Sequence, residues 1–272
     1  MDGNKIKCVF CDLDGTLIPS STSLQQADAK DIDAVKSWIN KGKDFVVATG
    51  RDRGYINPVM EVFGTDLNFI ASNGASIIQD SKEIFINTIG KEKFSRFWEI
   101  FQVISNKADF IATLTDLSIV AEQEKKENHY LNRILTHNTF GIEEYLSIVS
   151  KEIYKISIFI YEKDEMESLY TYLSDALEPK LHVYRTGAKI MEIVNQGVNK
   201  WIAVQKYCEI MNYTLDEIVV IGDEDNDFEM IDKAPHSFAM STGKQEVVDA
   251  ATYAVDSVAE MFNTYLGGKA DD

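Results

Sequence analysis

Residues 6 to 17, Ile6-Lys7-Cys8-Val9-Phe10-Cys11-Asp12-Leu13-Asp14-Gly15-Thr16-Leu17, constrain the chain more than any other stretch. Ile6 to Cys11 is almost continuously apolar, as a parallel strand covered on both faces requires. The run stops at two carboxylates one residue apart, followed by a glycine and a threonine. Two acids at the tip of a buried strand are costly unless they are paired, hydrated or bound to a cation. In open α/β sheets, ligands bind beyond the carboxyl ends of the strands. The tip therefore reads as a site.

The segments that follow build such a sheet. Asp28 to Lys41 carries Ile32, Val35, Trp38 and Ile39 at helical spacing, closed by Gly42. Phe45 to Ala48 is a second short apolar strand, ending at Thr49-Gly50-Arg51. Arg53 to Phe63 reads as helix, and Leu67 to Ala71 as a third strand running into Ser72-Asn73-Gly74-Ala75. A β-α-β-α-β order predicts a parallel sheet with helices on its faces.

After Ala75 the rhythm changes. A hairpin is expected around Asp80-Ser81-Lys82, then a helix over Lys93 to Ser105 and a strand over Phe110 to Thr115. Glu122 to Asn138, polar and carrying His129 and His137, reads as helix, and both histidines as surface residues. Ile153 to Tyr161 alternates like a strand, Asp164 to Leu177 like a helix and Lys180 to Tyr184 like a strand. From Ile190 the parallel rhythm is expected to resume. A helix over Val198 to Met211 starts close to Lys200, and Glu217 to Ile221 is an apolar strand ending at Gly222-Asp223-Glu224-Asp225-Asn226-Asp227. The expected fold is α/β: a doubly wound parallel-sheet core made of residues 1–85 and 190–272, interrupted by an α+β cap over 86–189.

A net charge of −17 argues against nucleic acid or an anionic membrane as partner, since both reward basic patches. An anionic small substrate then needs local positive charge, which a divalent cation supplies. No stretch approaches the ~18 apolar residues of a membrane span, and no signal-type segment follows Met1, so a cytoplasmic protein is expected. Cys8 and Cys11 form a C-x-x-C, but on a strand residues i and i+3 face opposite ways, so they read as core residues rather than ion ligands.

Asp12 and Asp14, Thr49, Lys200, and Asp223 with Asn226 and Asp227 all fall at strand ends or a helix start on one predicted edge. Phosphoryl transfer through an enzyme carboxylate needs these types: a nucleophile, hard oxygen ligands for Mg²⁺, and a hydroxyl and an ammonium against the charge of the transferring group. An EF-hand reading of Asp223 to Asp227 fails, because Phe228 stands where glycine is required and Ala234 where glutamate is. A response-regulator receiver is far shorter and has no inserted cap.

Asp12-Leu13-Asp14-Gly15-Thr16 after an apolar strand resembles the first motif of the haloacid dehalogenase (HAD) superfamily. The resemblance implies Asp12 as nucleophile and Mg²⁺ ligand, and Asp14 as general acid/base and backbone-carbonyl ligand. The acid role of Asp14 is expected to draw on the neighbouring carboxylate. Thr49, with Gly50, would bind the phosphoryl group. Lys200 would neutralise charge, Asp223 would complete the metal site, and Asn226 and Asp227 would order substrate and metal from outside. Thr49-Gly50-Arg51, Asn73-Gly74-Ala75 and Glu192-Ile193 before Gly197-Val198-Asn199-Lys200 resemble the Cof-type (IIB) subfamily, whose large cap lies between the second and third motifs. Glu224 departs from that pattern, standing where the family has a small residue, and Lys244-Gln245-Glu246-Val247 matches the late segment only loosely. Arg185 and Lys189, near the end of the insert, are read either as substrate-binding cations or as exposed loop residues. The expected activity is Mg²⁺-dependent hydrolysis of a small phosphomonoester, sugar phosphates foremost. The alternatives are a phosphosugar phosphomutase or a non-catalytic protein binding a phosphorylated ligand.

Overall fold

The computed structural model describes residues 2–19, 27–122 and 139–267. In chain order the first elements are β1 (Cys8–Cys11), α1 (Ala29–Asn40), β2 (Asp44–Ala48), α2 (Ile56–Phe63), β3 (Asn68–Ala71), β4 (Ser76–Gln79) and β5 (Lys82–Ile86). Next come α3 (Lys91–Phe101), β6 (Ala108–Leu114), β7 (Ile119–Val120), β8 (Thr139–Phe140), α4 (Ile142–Ser147), β9 (Ile153–Ile160), α5 (Met166–Leu177), β10 (Leu181–Gly187) and β11 (Ile190–Asn195). The chain closes with α6 (Lys200–Met211), β12 (Ile218–Gly222), α7 (Phe228–Lys233), β13 (Ser237–Met240), α8 (Gln245–Ala250), β14 (Tyr253–Val255) and a last helical segment beginning at Val258. They form two units, Met1–Phe85 with Asn199–Asp272, and Ile86–Val198.

In the first unit the sheet runs β14-β13-β12-β1-β2-β3-β4-β5. It is parallel from β14 to β3, and β4 turns back antiparallel on β3. β1 is central, with Cys8 opposite Ile218 on one side and Asp44 on the other. Its apolar run divides between two cores, as period-2 alternation dictates. Val9, Cys11 and Leu13 pack with Val35, Trp38 and Phe262, whereas Cys8 and Phe10 pack with Val204, Tyr207 and Met230. Both cysteines are buried free thiols on opposite faces, as expected. Asp80 and Ser81 make the β4–β5 turn with φ of 48° and 63°, the left-handed pair that a two-residue I′ hairpin demands.

The second unit is a six-stranded sheet in the order β10-β11-β9-β6-β7-β8, antiparallel except where β7 meets β8. Phe94, Phe97 and Phe101 of α3 and Leu169 and Leu173 of α5 pack on one face around Phe110 of β6. The expectation that the core resumes at residue 190 is corrected here. Ile190–Asn195 pairs antiparallel with β9, Met191 opposite Ile158, and belongs to this second sheet. Its apolar run reads alike in a buried parallel or antiparallel strand, so only the partner distinguishes them. Chain entry into the first unit is therefore at Asn199, not 190. The helix expected over 122–138, with His129 and His137, falls almost wholly outside the described residues.

Candidate active site

Backbone pairing carries Asp12 to the tip of β1, where its N–H donates to the Ile221 carbonyl at 2.9 Å. Lys200 opens α6, whose cap Asn199 accepts from the Ile202 N–H at 2.7 Å. A cation at a helix N-terminus opposes the helix dipole, and Lys200 is only 1% exposed. Two carboxylates outweigh both costs: Nζ lies 2.5 Å from Asp12 Oδ1 and 2.6 Å from Asp227 Oδ1. Burial lowers the Lys200 pKa, but these two neighbours reverse it and hold the ammonium well above the ordinary lysine range.

Asp227 closes its own loop. Its Oδ2 accepts from the backbone N–H groups of Asp223 and Glu224, each at 3.1 Å. Gly222 permits that closure, since a Cβ there would lie 2.5 Å from Asp227 Cγ. Asp223 Oδ1 accepts from the Thr16 hydroxyl at 2.7 Å, linking the first and last motifs across 207 residues of chain. Carboxylate oxygens of Asp12, Asp223 and Asp227 all lie within 4.8 Å of one another. Burial, then repulsion by Asp227, pushes the Asp12 pKa well up despite Lys200. Burial, opposed by the Thr16 bond and reinforced by Asp227, raises Asp223 to about 6.

Three buried carboxylates against one ammonium leave an excess of negative charge, which a hard divalent cation with oxygen ligands would neutralise. The donor set fits such an ion. Both Asp227 oxygens are already engaged, so it stands behind the site, while Asp12 Oδ2 and Asp223 Oδ2 lie outside these bonds.

Asp14 is partly exposed and differs from its expected setting. Its carboxylate is held by Arg51, whose Nε donates to Oδ2 at 2.8 Å and whose Nη2 makes a very short contact with Oδ1. The group that pairs with Asp14 is thus a guanidinium. Arg51 also lies over the Tyr55 ring, 5.0 Å from its centroid. Thr49 is buried, and its Oγ1 accepts from the Arg51 N–H at 3.0 Å. Gly50 packs against the Asn73 side chain, and Asn226 donates through Nδ2 to Asn73 Oδ1 at 3.0 Å. Glu224 and Asp225 both meet the Lys244 ammonium, at 2.9 and 2.6 Å, and the Lys244 N–H donates to the Asp223 carbonyl at 2.9 Å. The loosely matched late segment therefore answers the unusual Glu224.

The residues singled out by sequence thus fall into three groups: Asp12, Lys200, Asp223 and Asp227 together, Asp14 with Arg51, and Thr49, Gly50 and Asn226 joined through Asn73. Sequence alone assigned no role to Thr16, Arg51, Asn73 or Lys244, although the first three stand inside the quoted motifs. Arg185 pairs instead with Glu167 at 2.5 Å and with the Tyr170 ring, and Lys189 with the Tyr161 carbonyl, all inside the 86–198 unit.

A doubly wound sheet whose central strand ends in an aspartate pair, with a lysine and an acidic loop converging on it and an α+β unit inserted, is the architecture of a HAD-type hydrolase. The model of the haloacid dehalogenase-like hydrolases matches residues 9–261, and the chain belongs to that family. It is 23% identical to the 5-amino-6-(5-phospho-D-ribitylamino)uracil phosphatase YwtE of Bacillus subtilis, over 97% of this chain and 99% of that protein. It is also 23% identical to the 5-amino-6-(5-phospho-D-ribitylamino)uracil phosphatase YbjI of Escherichia coli, over 93% and 91% respectively. Its fold superposes on that of the HAD subclass IIB sugar phosphatase BT4131 with a TM-score of 0.73, at 21% identity, across 94% of this chain and 98% of that one. Among the described residues, no helix is long and apolar enough to cross a membrane.

Proposed function

We propose that the protein is a Mg²⁺-dependent phosphatase of small phosphomonoesters, acting through an aspartyl phosphate on Asp12. The observation that carries this reading is the convergence of Asp12, Asp223 and Asp227 oxygens within 4.8 Å around the buried Lys200. Asp12 and Asp223, with the Asp14 backbone carbonyl, would hold the ion. Bound there, it supplies positive charge that keeps the carboxylates ionised and offsets the phosphoryl oxygens.

Asp12 Oδ2 attacks phosphorus and the ester P–O bond breaks, while Asp14, released from Arg51 at one oxygen and protonated there, gives the departing oxygen its proton. Asp14, now a carboxylate oriented by Arg51, takes a proton from water. That water oxygen attacks the phosphorus of the aspartyl phosphate, releasing inorganic phosphate and restoring Asp12. Lys200 keeps Asp12 fixed and compensates its charge, and the Thr49 hydroxyl and Gly50 N–H serve the phosphoryl oxygens. The substrate class follows the relatives: a phosphorylated sugar or polyol, met in the cytoplasm.

The test is hydrolysis of p-nitrophenyl phosphate, then of a panel of sugar and polyol phosphates, with release of free phosphate measured. Asp12→Asn, Asp14→Asn and chelation of Mg²⁺ should each reduce turnover at least ~10³-fold. Activity retained in either variant rules out this mechanism, and isomerised sugar phosphate in place of free phosphate identifies a mutase.

A further inference from the structure

The turn Ser72-Asn73-Gly74 after β3 does no chemistry in the mechanism above, yet it is built at a cost. Its three residues have φ of 51°, 55° and 105° in succession. For serine and asparagine the left-handed region costs about 1 kcal/mol or more each, and it persists only where surroundings over-determine it. Ser72 and Asn73 are fully buried, and the Ser72 hydroxyl has no hydrogen-bond partner among the described residues.

What surrounds the turn is the site. The Ser72 N–H donates to the Arg51 carbonyl at 2.9 Å and the Asn73 N–H to the Thr49 carbonyl at 3.0 Å. Asn73 Oδ1 accepts from Asn226 at 3.0 Å, and a Cβ on Gly50 would sit 3.2 Å from that same oxygen. Gly74 lies so close to the cap of α6 that a Cβ would fall 2.3 Å from the Asn199 carbonyl oxygen, one residue before Lys200. One strained turn thereby touches the segments that carry Thr49, Lys200 and Asn226. These segments are far apart in sequence and share no strand.

We propose that Asn73 is a positioning residue, which sets the Thr49-Gly50 loop against the acidic loop through Asn226 and so fixes the phosphoryl-binding geometry. This rests on the phosphatase reading. A side-chain hydrogen bond contributes about 1 kcal/mol, and a misplacement on the order of 1 Å in a reacting site can cost ~10²-fold in rate. Loss of this brace should therefore appear in kcat, not in substrate affinity or global folding.

Asn73→Gly isolates the side chain, because glycine adopts the left-handed conformation freely. With Mg²⁺ and p-nitrophenyl phosphate, it should lower kcat about tenfold with KM within about twofold, while the melting temperature changes by only a few degrees, relief of the left-handed strain offsetting part of the lost bond. Asn226→Ala removes the same bond without touching the turn and should give the same loss, and the double variant should be no more than about twofold worse than either single one. In the metal-free protein, the Asn226 side-chain amide resonances should move on Asn73→Gly, a readout independent of turnover. Unchanged kcat in either single variant, losses that multiply in the double variant, or unmoved amide resonances would each overturn the proposal. Absence of turnover in the unaltered protein would instead sink the phosphatase reading, and the amide resonances would still decide whether the brace exists.

Discussion

Replacing Lys200 by methionine is the sharpest perturbation of the site, because it removes a charge while keeping an unbranched side chain of similar length. Lys200 is 1% exposed and touches Asp12 at 2.5 Å and Asp227 at 2.6 Å, both themselves buried. Removing one partner of a buried ion pair costs about 3–5 kcal/mol, since it strands a desolvated charge. Two carboxylates share this ammonium, so the loss belongs at the upper part of that range at neutral pH without metal. For a chain of this size that corresponds to a melting temperature lower by on the order of 10 °C. The sign of the pH dependence follows from which state binds protons. Asp12 already titrates above the usual carboxylate range, and without Lys200 it moves further up. The folded variant then binds protons that the unfolded chain releases, so its deficit should shrink as pH falls from 7 to 5. In the unaltered protein, Lys200 holds its proton across this window, because its pKa is raised. Urea unfolding with chelator present, at both pH values, measures the two effects. A deficit below about 1 kcal/mol at pH 7, or one that grows on acidification, refutes the view that this ammonium compensates Asp12 and Asp227.

Three further outcomes follow from the same geometry. Asp223 titrates near 6 in the metal-free fold, against about 3.9 unfolded, so its penalty is absent below pH 4 and complete above pH 6. Relative to Asp223→Asn, the metal-free protein should lose up to about 3 kcal/mol of stability across that interval, and a gain instead would contradict the assignment. Thr16→Val deprives Asp223 of its 2.7 Å donor and should raise the Mg²⁺ concentration for half-maximal activity by about five- to tenfold, read from a metal titration. Arg51→Lys keeps the charge but loses the two-pronged grip on Asp14, and kcat for p-nitrophenyl phosphate should fall about tenfold or more, whereas an unchanged kcat would show that Asp14 needs no such orientation.

How much of this was legible depended on whether a feature was local. The strand ending at Asp12 could be read because a long apolar run that stops dead at two acids fits a buried strand with a polar tip and little else. The division of Cys8 to Leu13 between two cores follows from alternation. Ile190–Asn195 was misplaced because its composition suits either sheet: it lies between Leu181–Gly187, just before it in the chain, and Ile153–Ile160, some thirty residues earlier. The short strand Tyr253–Val255 escaped notice because three residues carry too little periodicity, though it pairs cleanly with β13. At the site, residue types announced the chemistry but not the partners. Nothing in Asp-Leu-Asp-Gly-Thr says that Thr16 will meet Asp223, or that Arg51 will grip Asp14. Asn73-Gly74 hid its role best. Asn-Gly is the ordinary signature of a hairpin turn, and here the same left-handed preference serves to brace two loops.

The charge balance explains why so acidic a chain can still handle a phosphate ester. A phosphomonoester brings nearly two negative charges at pH 7, and the protein carries −17. Neither cation described at the site stands ready for it: Lys200 is shared by Asp12 and Asp227, and Arg51 is held by Asp14. Approach of the ester to these side chains alone is therefore repulsive. The excess of buried carboxylate has the opposite consequence for a divalent cation, which gains from the same low-dielectric surroundings that penalise the acids. A divalent cation held by Asp12 and Asp223 would reverse the local field and make the site attractive to an anion. Fewer acids would make a more stable fold but would forfeit that reversal, the trade-off expected where stability and activity make opposite demands on the same residues. The strain at Asn73 and the clustered carboxylates are then two forms of one arrangement: each is unfavourable for the fold by itself, as expected of groups kept for binding and catalysis rather than for stability.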